Sequence, residues 1–576
     1  MSTEQLNNEN TPQQIDPERE SELLAFAQSM NDHAQTTTKD KSKRQSKWIT
    51  ALNRRFNRRT LTLIASSAAT LLLAVVMVVV MLCVKDDAPI GDTTQQTDDA
   101  HQQTETTQEV LLDKTQPTDQ TNTSNKSHLL QADIQNADDT FTIQYDETAK
   151  TYVLKEYEDI SLSNQLLQTL RYYTETIAAV EEVKNASSLD VYGLDDPEAT
   201  ASFTYSDGTS ARLFIGDKTP SGNGYYGQLE GTTGVYIFNA DSVALFRLQS
   251  TAFADTTLIT PPSVKEGDTD GQALLKEITY TGTAHLFPLV MRRSNPSDSE
   301  DLSYFSYVIE KPYLRCTTDE VSSALSSMQT ISAKQALYLH PTEEEKQKLG
   351  FGDNPLIQIN ATMAVETEEQ STSTDSESAR PKIYYNSINY QLTIGSVDSN
   401  GNYIAMLDGI DAIFLIEKAS YEFVLGRTYQ NSVNEYLFFK HINSLERIEV
   451  EVKGEKYEFH LTHYPEKEET NDQLTVKVNG KLCSTEEFRE LYELIMALER
   501  HDAPDTEPSG NVALTLSLYE PNDKLYLSAK YYETSATMCT VETSEGELLT
   551  TLWGDVAFFI QQVENYVNGK DVLIRN

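Results

Sequence analysis

Two short polar segments contain acidic side chains that could bind a cation or transfer protons. Asp195 and Asp196 could act as a general acid–base pair or as cation ligands. A turn explains them better, because Asx side chains bond their own backbone and Pro197 fixes the next φ angle. Residues 398–401 (Asp-Ser-Asn-Gly) resemble part of a calcium loop, but the other ligands and the closing glutamate are missing. We interpret the first segment as a turn and the second as a hairpin turn.

Histidines and known catalytic motifs give no site either. His460 and His463 are three residues apart, so a strand would place them on opposite faces, and no matching metal ligands accompany them. The sequence has no nucleophile elbow, phosphate-binding loop or dinucleotide-binding glycine pattern in a suitable context. It therefore predicts no catalytic, cofactor-binding or metal-binding residues, no cofactor and no enzyme activity.

The cysteines do not suggest a disulfide framework. Cys83 lies in a long apolar run, and the three cysteines that follow are an odd number: Cys316, Cys483 and Cys539. Cys316 and Cys483 each precede a residue that we expect to cap a helix, where a small apolar side chain can pack against that helix. We predict that they are unpaired.

A glycine-containing motif occurs twice in the chain. Residues 193–197 read Gly-Leu-Asp-Asp-Pro, and residues 349–355 read Leu-Gly-Phe-Gly-Asp-Asn-Pro. Each is followed by an Ile-Gly pair, ending at Gly216 or Gly395, and then by a short aromatic strand. A third, more divergent copy ends the chain, since residues 555–559 echo an earlier segment. The spacing indicates an internal repeat.

A strand pair and an amphipathic helix are predicted before the closing part of each copy. The predicted pairs are 141–145 with 151–155, 277–280 with 304–309, and 447–452 with 474–478. The predicted helices begin near Ser161, at a capping box from Thr317 to Glu320, and at another from Ser484 to Glu487. The apolar face of the first is Leu166, Leu170, Tyr173, Ile177 and Val180, and that of the third is Phe488, Leu491, Ile495 and Leu498. The fold class is α+β with antiparallel sheets, in about three tandem units.

Leu61–Val84 is a run of 24 residues without a charged side chain. As a helix it would be about 36 Å long, enough to cross a hydrocarbon core of about 30 Å. A cleaved signal peptide is the alternative, but 60 residues precede the run and no small-residue exit follows it. Nine lysines and arginines between residues 39 and 59 place the N-terminus in the cytoplasm and the C-terminal region outside.

The chain has 576 residues and a net charge of −42, which opposes binding to nucleic acid because phosphates are repelled. Composition and repeats predict this order: a basic cytoplasmic tail (1–60), a transmembrane helix (61–84), a disordered polar stalk (85–136), repeat unit 1 (137–270), repeat unit 2 (271–445) with a disordered insertion (366–380), and repeat unit 3 (446–576).

The motif from Gly193 to Pro197, the Ile-Gly pair at Gly216 and the aromatic strand at 235–237 resemble the bacterial domain-of-unknown-function family 4340. The resemblance extends over about residues 139–445 and more weakly beyond. It implies a membrane-anchored protein of the bacterial cell envelope that often accompanies ABC-type transport systems, and it implies no catalytic residues.

The expected function is a non-enzymatic binding or scaffold module. Its expected partners are membrane lipid, through Leu61–Val84, and subunits of an ABC-type transporter or an envelope protein. The alternative is a cell-envelope enzyme of hydrolase type, or an envelope-polymer-binding protein, with an unrecognised site.

Overall fold

The computed structural model describes residues 108–115, 126–295, 298–328, 330–368, 382–468, 470–501 and 508–574. All of them belong to the compact unit Glu105–Asn576, and the other unit, Met1–Thr104, lies outside the described residues. Antiparallel sheets dominate, with few helices.

The first group of elements covers residues 109–259. Its strands are β1 (Glu109–Asp113), β2 (Leu129–Asn136), β3 (Thr140–Asp146), β4 (Thr151–Leu154), β5 (Thr176–Ala179), β6 (Glu181–Glu182), β7 (Ala199–Tyr205), β8 (Ser210–Lys218), β9 (Gly224–Leu229), β10 (Tyr236–Asn239) and β11 (Thr257–Ile259). Its helices are α1 (Asn164–Glu175) and α2 (Ala240–Ala244). Eight strands form a sheet in the order β4-β3-β2-β7-β8-β9-β10-β6, and β1 pairs with β5.

The second group covers residues 272–425. Its strands are β12 (Gln272–Thr281), β13 (Leu289–Arg293), β14 (Tyr307–Lys311), β15 (Arg315–Cys316), β16 (Ile331–Ser332), β17 (Gln335–Leu339), β18 (Ile357–Glu368), β19 (Lys382–Val397), β20 (Tyr403–Leu407) and β21 (Ala412–Ile416). Its helices are α3 (Glu300–Ser303), α4 (Asp319–Ser327), α5 (Glu343–Lys348) and α6 (Lys418–Leu425). Nine strands form a sheet in the order β15-β14-β13-β12-β18-β19-β20-β21-β17.

The third group covers residues 447–567. Its strands are β22 (Arg447–Val452), β23 (Glu455–His463), β24 (Leu474–Val478), β25 (Lys481–Cys483), β26 (Val512–Glu520), β27 (Lys524–Glu533), β28 (Met538–Thr543) and β29 (Leu548–Leu552). Its helices are α7 (Thr485–Met496) and α8 (Trp553–Val567). The sheet has the order β25-β24-β23-β22-β26-β27-β28-β29.

The three sheets share one strand order. In each, the first strand (β2, β12 or β22) of a meander with three strands in the first sheet and four in the other two pairs with the first strand of a four-stranded meander (β7, β18 or β26). A helix (α1, α4 or α7) lies between the two meanders in the chain. Alternating residues explain how the strands bury one face: Ile448 and Val450 of β22 are buried, whereas Glu451 is exposed.

The buried apolar residues form two large cores. The first and second sheets share one core, which includes Phe203 and Tyr280, whereas the third sheet has its own, which includes Phe459. Pairing of β11 with β16 also joins the first two groups of elements. The hydroxyl of Tyr280 donates to the carbonyl of Val424 at 2.6 Å, and burial raises the pKa of Tyr280, which keeps this donor protonated.

The predicted disordered stalk, residues 85–136, is wrong at its C-terminal end. Part of it forms β1, and its last residues form β2, which lies inside the first sheet between β3 and β7. Ala132 and Ile134 of β2 are buried, but polar residues alternate with them. In composition, the strand is therefore similar to the polar tract before it, and the sequence analysis did not separate the two. Residues 85–107 and 116–125 lie outside the described residues.

The predicted disordered insertion, residues 366–380, is wrong at its first residues. Strand β18 continues to Glu368. Glu366 forms ion pairs with Arg293 at 3.1 Å and with Lys382 at 3.0 Å, so a side chain interpreted as solvated is neutralised within the sheet. The remaining residues of the predicted insertion lie outside the described residues.

One of the three predicted strand pairs is formed. The pair 141–145 with 151–155 corresponds to β3 and β4, which pair antiparallel. The other two pairs are wrong, because β13 lies between β12 and β14, and β23 lies between β22 and β24. Both missed strands carry several charged residues, which weakened their apolar signal.

The start of the third predicted helix is confirmed, although Leu498 of its predicted apolar face lies beyond the end of the helix at Met496, and the start of the second is corrected. Helix α7 follows Ser484, whose side chain accepts from a backbone N–H in the first turn, and Phe488 is buried as expected. Helix α4 is capped by Thr318 rather than by Thr317. Thr317 is buried, and its hydroxyl donates to the carbonyl of Tyr307 in β14 at 2.9 Å instead of capping the helix.

The first predicted helix is displaced at both ends. Ser163, not Ser161, caps α1. The helix ends before Thr176, so Ile177 lies in β5 and Val180 lies beyond that strand. The β-branched pair at 176–177 favours extended backbone, which explains why the apolar period did not continue as a helix.

Cys316, Cys483 and Cys539 are free thiols, as predicted. Burial raises the pKa of Cys316 to about 12 and that of Cys539 to about 12. Both thiols therefore stay protonated and act as small apolar side chains.

Residues 1–60 and Leu61–Val84 lie outside the described residues. Among the described residues, no helix combines the length and apolar character needed to span a membrane.

The glycine motif brings two backbone segments into close contact in both copies. Gly193 has a φ of +67° and ends a short 3-10 turn, and Gly216 of β8 lies against it. A Cβ at Gly216 would lie 2.1 Å from the carbonyl oxygen of Tyr192. In the second copy, a Cβ at Gly395 would lie 2.3 Å from the carbonyl oxygen of Leu349. The spaced glycines of the motif are therefore required by backbone packing.

We expect Gly216→Ala and Gly395→Ala each to lower the free energy of unfolding by about 1–3 kcal/mol, because the atoms in the way belong to the backbone and cannot turn aside. Gly352→Ala is the control, since a Cβ at that position meets no atom within 4 Å. Denaturant unfolding followed by circular dichroism measures the difference. Equal stability of all three variants would contradict this account of the motif.

Candidate binding cleft at the junction of the second and third sheets

The segment 433–439, here called the junction segment, connects the second and third sheets through its backbone. The N–H of Asn434 donates to the carbonyl of Cys316 in β15 at 2.9 Å. On the other side, the N–H of Arg500, which follows α7, donates to the carbonyl of Glu435 at 2.7 Å. The segment therefore has a fixed path between the two sheets.

A buried ion cluster joins the same two sheets. Glu547, which precedes β29 and is 2% exposed, lies 3.0 Å from Arg315 of β15 and 2.6 Å from Arg500. The hydroxyl of Tyr429 donates to the same carboxylate at 2.6 Å. Burial alone lowers the pKa of Arg315, but the charges of Glu547 and Glu545 raise it overall, so the guanidinium stays charged. The Glu547 carboxylate thus pairs with Arg315 from the second group of elements and with Arg500 from the third.

A second buried ion cluster lies at the end of the junction segment. Lys440 is 5% exposed, and its ammonium lies 2.7 Å from Asp301 of α3 and 2.8 Å from Glu520 of β26. Burial alone lowers the pKa of Lys440, but these two carboxylates raise it overall. The hydroxyl of Tyr492 donates to the carbonyl of Lys440 at 2.6 Å, which also fixes the backbone.

A cavity of about 530 Å³, here called the junction cleft, opens beside the junction segment. Its lining residues are Tyr304, Phe305, Thr318, Asp319, Glu320, Asn434, Glu435, Tyr436 and Phe439. The four aromatic rings of this lining pack against one another as a cluster. The ring centroids of Tyr304 and Phe305 are 5.2 Å apart, those of Phe305 and Phe439 are 5.5 Å apart, and those of Phe439 and Tyr436 are 6.2 Å apart. Such distances are typical of packed aromatic clusters.

All the charged groups that line the junction cleft are acidic. Asp319 and Glu320 occupy the exposed first turn of α4, and Glu435 is exposed on the junction segment. The lining contains no lysine, arginine or histidine. Burial, and next the charge of Glu435, raise the pKa of Tyr436, so its hydroxyl stays protonated. At neutral pH the lining carries three formal negative charges beside its aromatic faces.

The junction cleft has groups for recognition but no paired nucleophile and base. Thr318 has the only aliphatic hydroxyl of the lining, and its oxygen already accepts from the N–H of Val321 at 3.2 Å. The lining has no histidine or cysteine that could activate it. The arrangement offers π faces and carboxylates, whereas the buried amide of Asn434 already donates to the carbonyl of Thr317 and accepts from the N–H of Tyr436.

The acidic residues singled out in the sequence lie elsewhere. Asp195 and Asp196 are exposed and lie in a bend before Pro197, as predicted, but no described hydrogen bond involves their side chains, so the predicted bonding of these side chains to their own backbone is wrong. Asp398 forms the predicted hairpin turn between β19 and β20. Its carboxylate accepts from the N–H groups of Asn400 at 2.8 Å and Asn402 at 2.7 Å.

The two histidines lie on β23 and make different contacts. His460 is exposed and lies 2.6 Å from the carboxylate of Glu458. His463 is half-buried, and its Nε2 lies 2.7 Å from the carbonyl oxygen of Leu445. Within the described part of the chain, no group of three or more histidine, cysteine or acidic residues could hold a metal ion.

Sequence reasoning missed the junction cleft. Its aromatic and acidic residues come from two segments about 13 residues apart (304–305 and 318–320) and from a third more than 100 residues later (434–439), and the sequence prediction placed Tyr304 in a strand. The available signal was the direct succession of acidic and aromatic residues at Glu435 and Tyr436, but this pattern is common at surfaces. Backbone hydrogen bonds from Asn434 to Cys316 and from Thr318 to Ser432 bring the distant segment to the other two.

We expect Glu547→Ala to lower the free energy of unfolding by about 3–5 kcal/mol, because it leaves Arg315 and Arg500 buried without their shared carboxylate. Glu545→Ala is the matched control: Glu545 contacts Arg315 from a partly exposed position, so its loss should cost less than about 1 kcal/mol. Thermal unfolding of both variants measures the difference. Similar midpoints for the two variants would show that the buried cluster does not hold the junction.

Comparison with known proteins gives one match. Residues 153–270 match the model of the family described as domain of unknown function (DUF4340), and they contain the first copy of the glycine motif. No curated protein and no solved structure matches the chain significantly. The predicted extension of the resemblance to residue 445 stays a prediction. Over residues 153–270, the chain carries a domain that resembles the DUF4340 family.

Proposed function

We propose that this protein is a non-enzymatic, single-pass membrane protein whose extracytoplasmic region is a binding scaffold, and that it acts as an accessory component of an ABC-type transport system. The observation that carries the proposal is the junction cleft, in which aromatic rings and carboxylates converge without a nucleophile–base pair. Such a lining supports binding better than catalysis.

Three tandem α+β units form the scaffold in this proposal. The shared strand order of the three sheets supports tandem copies, although the second and third units lack a family match of their own here. The proposed units are residues 137–270, 271–445 and 446–576, with β1 and β2 added to the first. Repeated units commonly build extended binding surfaces, because each copy adds area without needing a new fold.

The proposed membrane location is supported by sequence. Leu61–Val84 is long and apolar enough to span a bilayer, and lysines and arginines are concentrated before it. The acidic C-terminal region would then be repelled by anionic lipid and would extend from the membrane.

Protease added to intact cells, or to spheroplasts where an outer membrane is present, should digest the region after Val84 and spare residues 1–60. Immunoblotting with tags at the two termini measures this. Protection of the C-terminal tag under conditions that cleave a known external protein would exclude the proposed topology.

A photo-crosslinking amino acid at Tyr304, on the rim of the junction cleft, should capture a permease or ATPase-associated subunit of an ABC-type transporter in living cells. Tyr172 is the matched control position, because the two tyrosines are 69% and 68% exposed and Tyr172 lies on α1 of the first group. Mass spectrometry identifies the adducts. If no transporter subunit is recovered, and the purified protein instead hydrolyses an envelope polymer, the scaffold proposal is replaced by the envelope-enzyme alternative.

A further inference from the structure

We propose that the junction cleft binds the cationic side chain of a lysine or arginine presented by a basic segment of a partner protein. This inference rests on the proposed scaffold function and gives the binding site its chemistry. The juxtaposition that carries it is a cluster of four aromatic rings and three carboxylates that line one open cavity.

The aromatic rings supply the first part of the recognition. The face of an aromatic ring carries a partial negative charge and attracts ammonium and guanidinium groups. This chain uses the same contact internally: Arg447 lies 3.7 Å from the ring centroid of Tyr519, and Lys440 lies 4.9 Å from that of Tyr526. None of the cation–ring contacts of the described residues uses the four rings of the cleft. Phe305 is buried beneath the others, so Tyr304, which is exposed, and Tyr436 and Phe439, which are half-buried, are the rings that a cation from another molecule can reach.

The carboxylates supply the charge. Asp319 and Glu320 line the cavity from the first turn of α4 and Glu435 lines it from the junction segment, and no basic residue of the lining neutralises them. The N-terminus of α4 opposes a cation with a partial charge of about +0.5. Three carboxylates outweigh it, and the capping hydroxyl of Thr318 already satisfies one of its N–H groups. The net field of the cleft therefore favours a cation.

The dimensions favour a side chain on a polypeptide over a free small cation. A volume of about 530 Å³ exceeds that of a single ammonium group, so the aliphatic stem of lysine or arginine can lie along the rings while its charged end reaches the carboxylates. Tyr304, at 69% exposed, leaves the entrance open to a segment that approaches from solvent.

The test uses the full-length protein in detergent and a fluorescein-labelled (Lys-Gly)₄ peptide as the probe, with fluorescence anisotropy at physiological salt. Tyr304→Ala and the double variant Asp319→Asn/Glu320→Gln should each weaken binding at least about fivefold, because each removes one part of the recognition. All three residues are exposed, so the fold should be retained, and circular dichroism checks this.

Matched controls separate a site from the general acidity of the chain. Tyr172→Ala removes an equally exposed tyrosine, and Glu343→Gln/Glu344→Gln removes two exposed carboxylates from the first turn of another helix, α5. Both controls should bind the probe within about twofold of the parent protein. Equal losses in the control and cleft variants would show nonspecific attraction and overturn the inference.

Two further outcomes would also overturn it. One is absence of binding to (Lys-Gly)₄. The other is binding of neutral N-acetylglucosamine oligomers that is lost in Tyr304→Ala, which would identify a saccharide site. If either outcome is found but position 304 still crosslinks to a transporter subunit, the scaffold function is retained and only its recognition chemistry is different. Loss of that crosslink alone, with probe binding intact, would refute the transporter partner and keep the cation site.

Discussion

The position of the third sheet depends on the shared carboxylate of Glu547. Removing one carboxylate and two guanidinium groups from water is costly, and the cost is offset only when the groups meet at short distances with further hydrogen bonds. Arg315, Arg500 and Tyr429 meet these conditions around Glu547. Because Arg500 also fixes the carbonyl of Glu435 through its backbone, the same interaction determines one wall of the junction cleft.

Charge is used in two ways in this protein. The chain as a whole has a net charge of −42, which keeps its surface solvated. At the junction, by contrast, buried arginines and Lys440 neutralise buried carboxylates, so neither Asp301 nor Glu547 is left unpaired. The three carboxylates of the cleft differ from both groups. They lie beside the junction with its buried ion pairs, but no basic residue of the lining pairs with them. That contrast distinguishes the cleft from an ordinary acidic surface.

Much of the local structure could be predicted from the sequence, because it depends on short-range chemistry. The cap at Ser484, the buried face of α7 and the hairpin turn at Asp398 follow from neighbouring residues alone. The glycine motif was recognised as a repeat, but its cause is a backbone contact at Gly216 that no sequence spacing reveals. Strands β13 and β23 were missed because their charged residues find partners only in the folded sheet, as Arg293 does.

The junction cleft could not be predicted for a related reason. Its lining comes from three separate segments, and the distant one, 434–439, is held against the others by backbone hydrogen bonds such as that from Asn434 to Cys316, which sequence spacing does not reveal. Each segment alone resembles an exposed turn or a helix start. The internal repeat and the absence of known catalytic motifs led to the expectation of a binding module, but they gave no location for binding.

The division of the buried residues into two cores has a mechanical consequence. A tensile load applied between the first and third sheets passes from one apolar core to the other through ion pairs, backbone hydrogen bonds and the aromatic contacts of the cleft. The polar contacts are directional, so a small displacement weakens them more than it weakens apolar packing. A displacement of the third sheet would therefore disturb the polar contacts of the junction and change the shape of the cleft beside them.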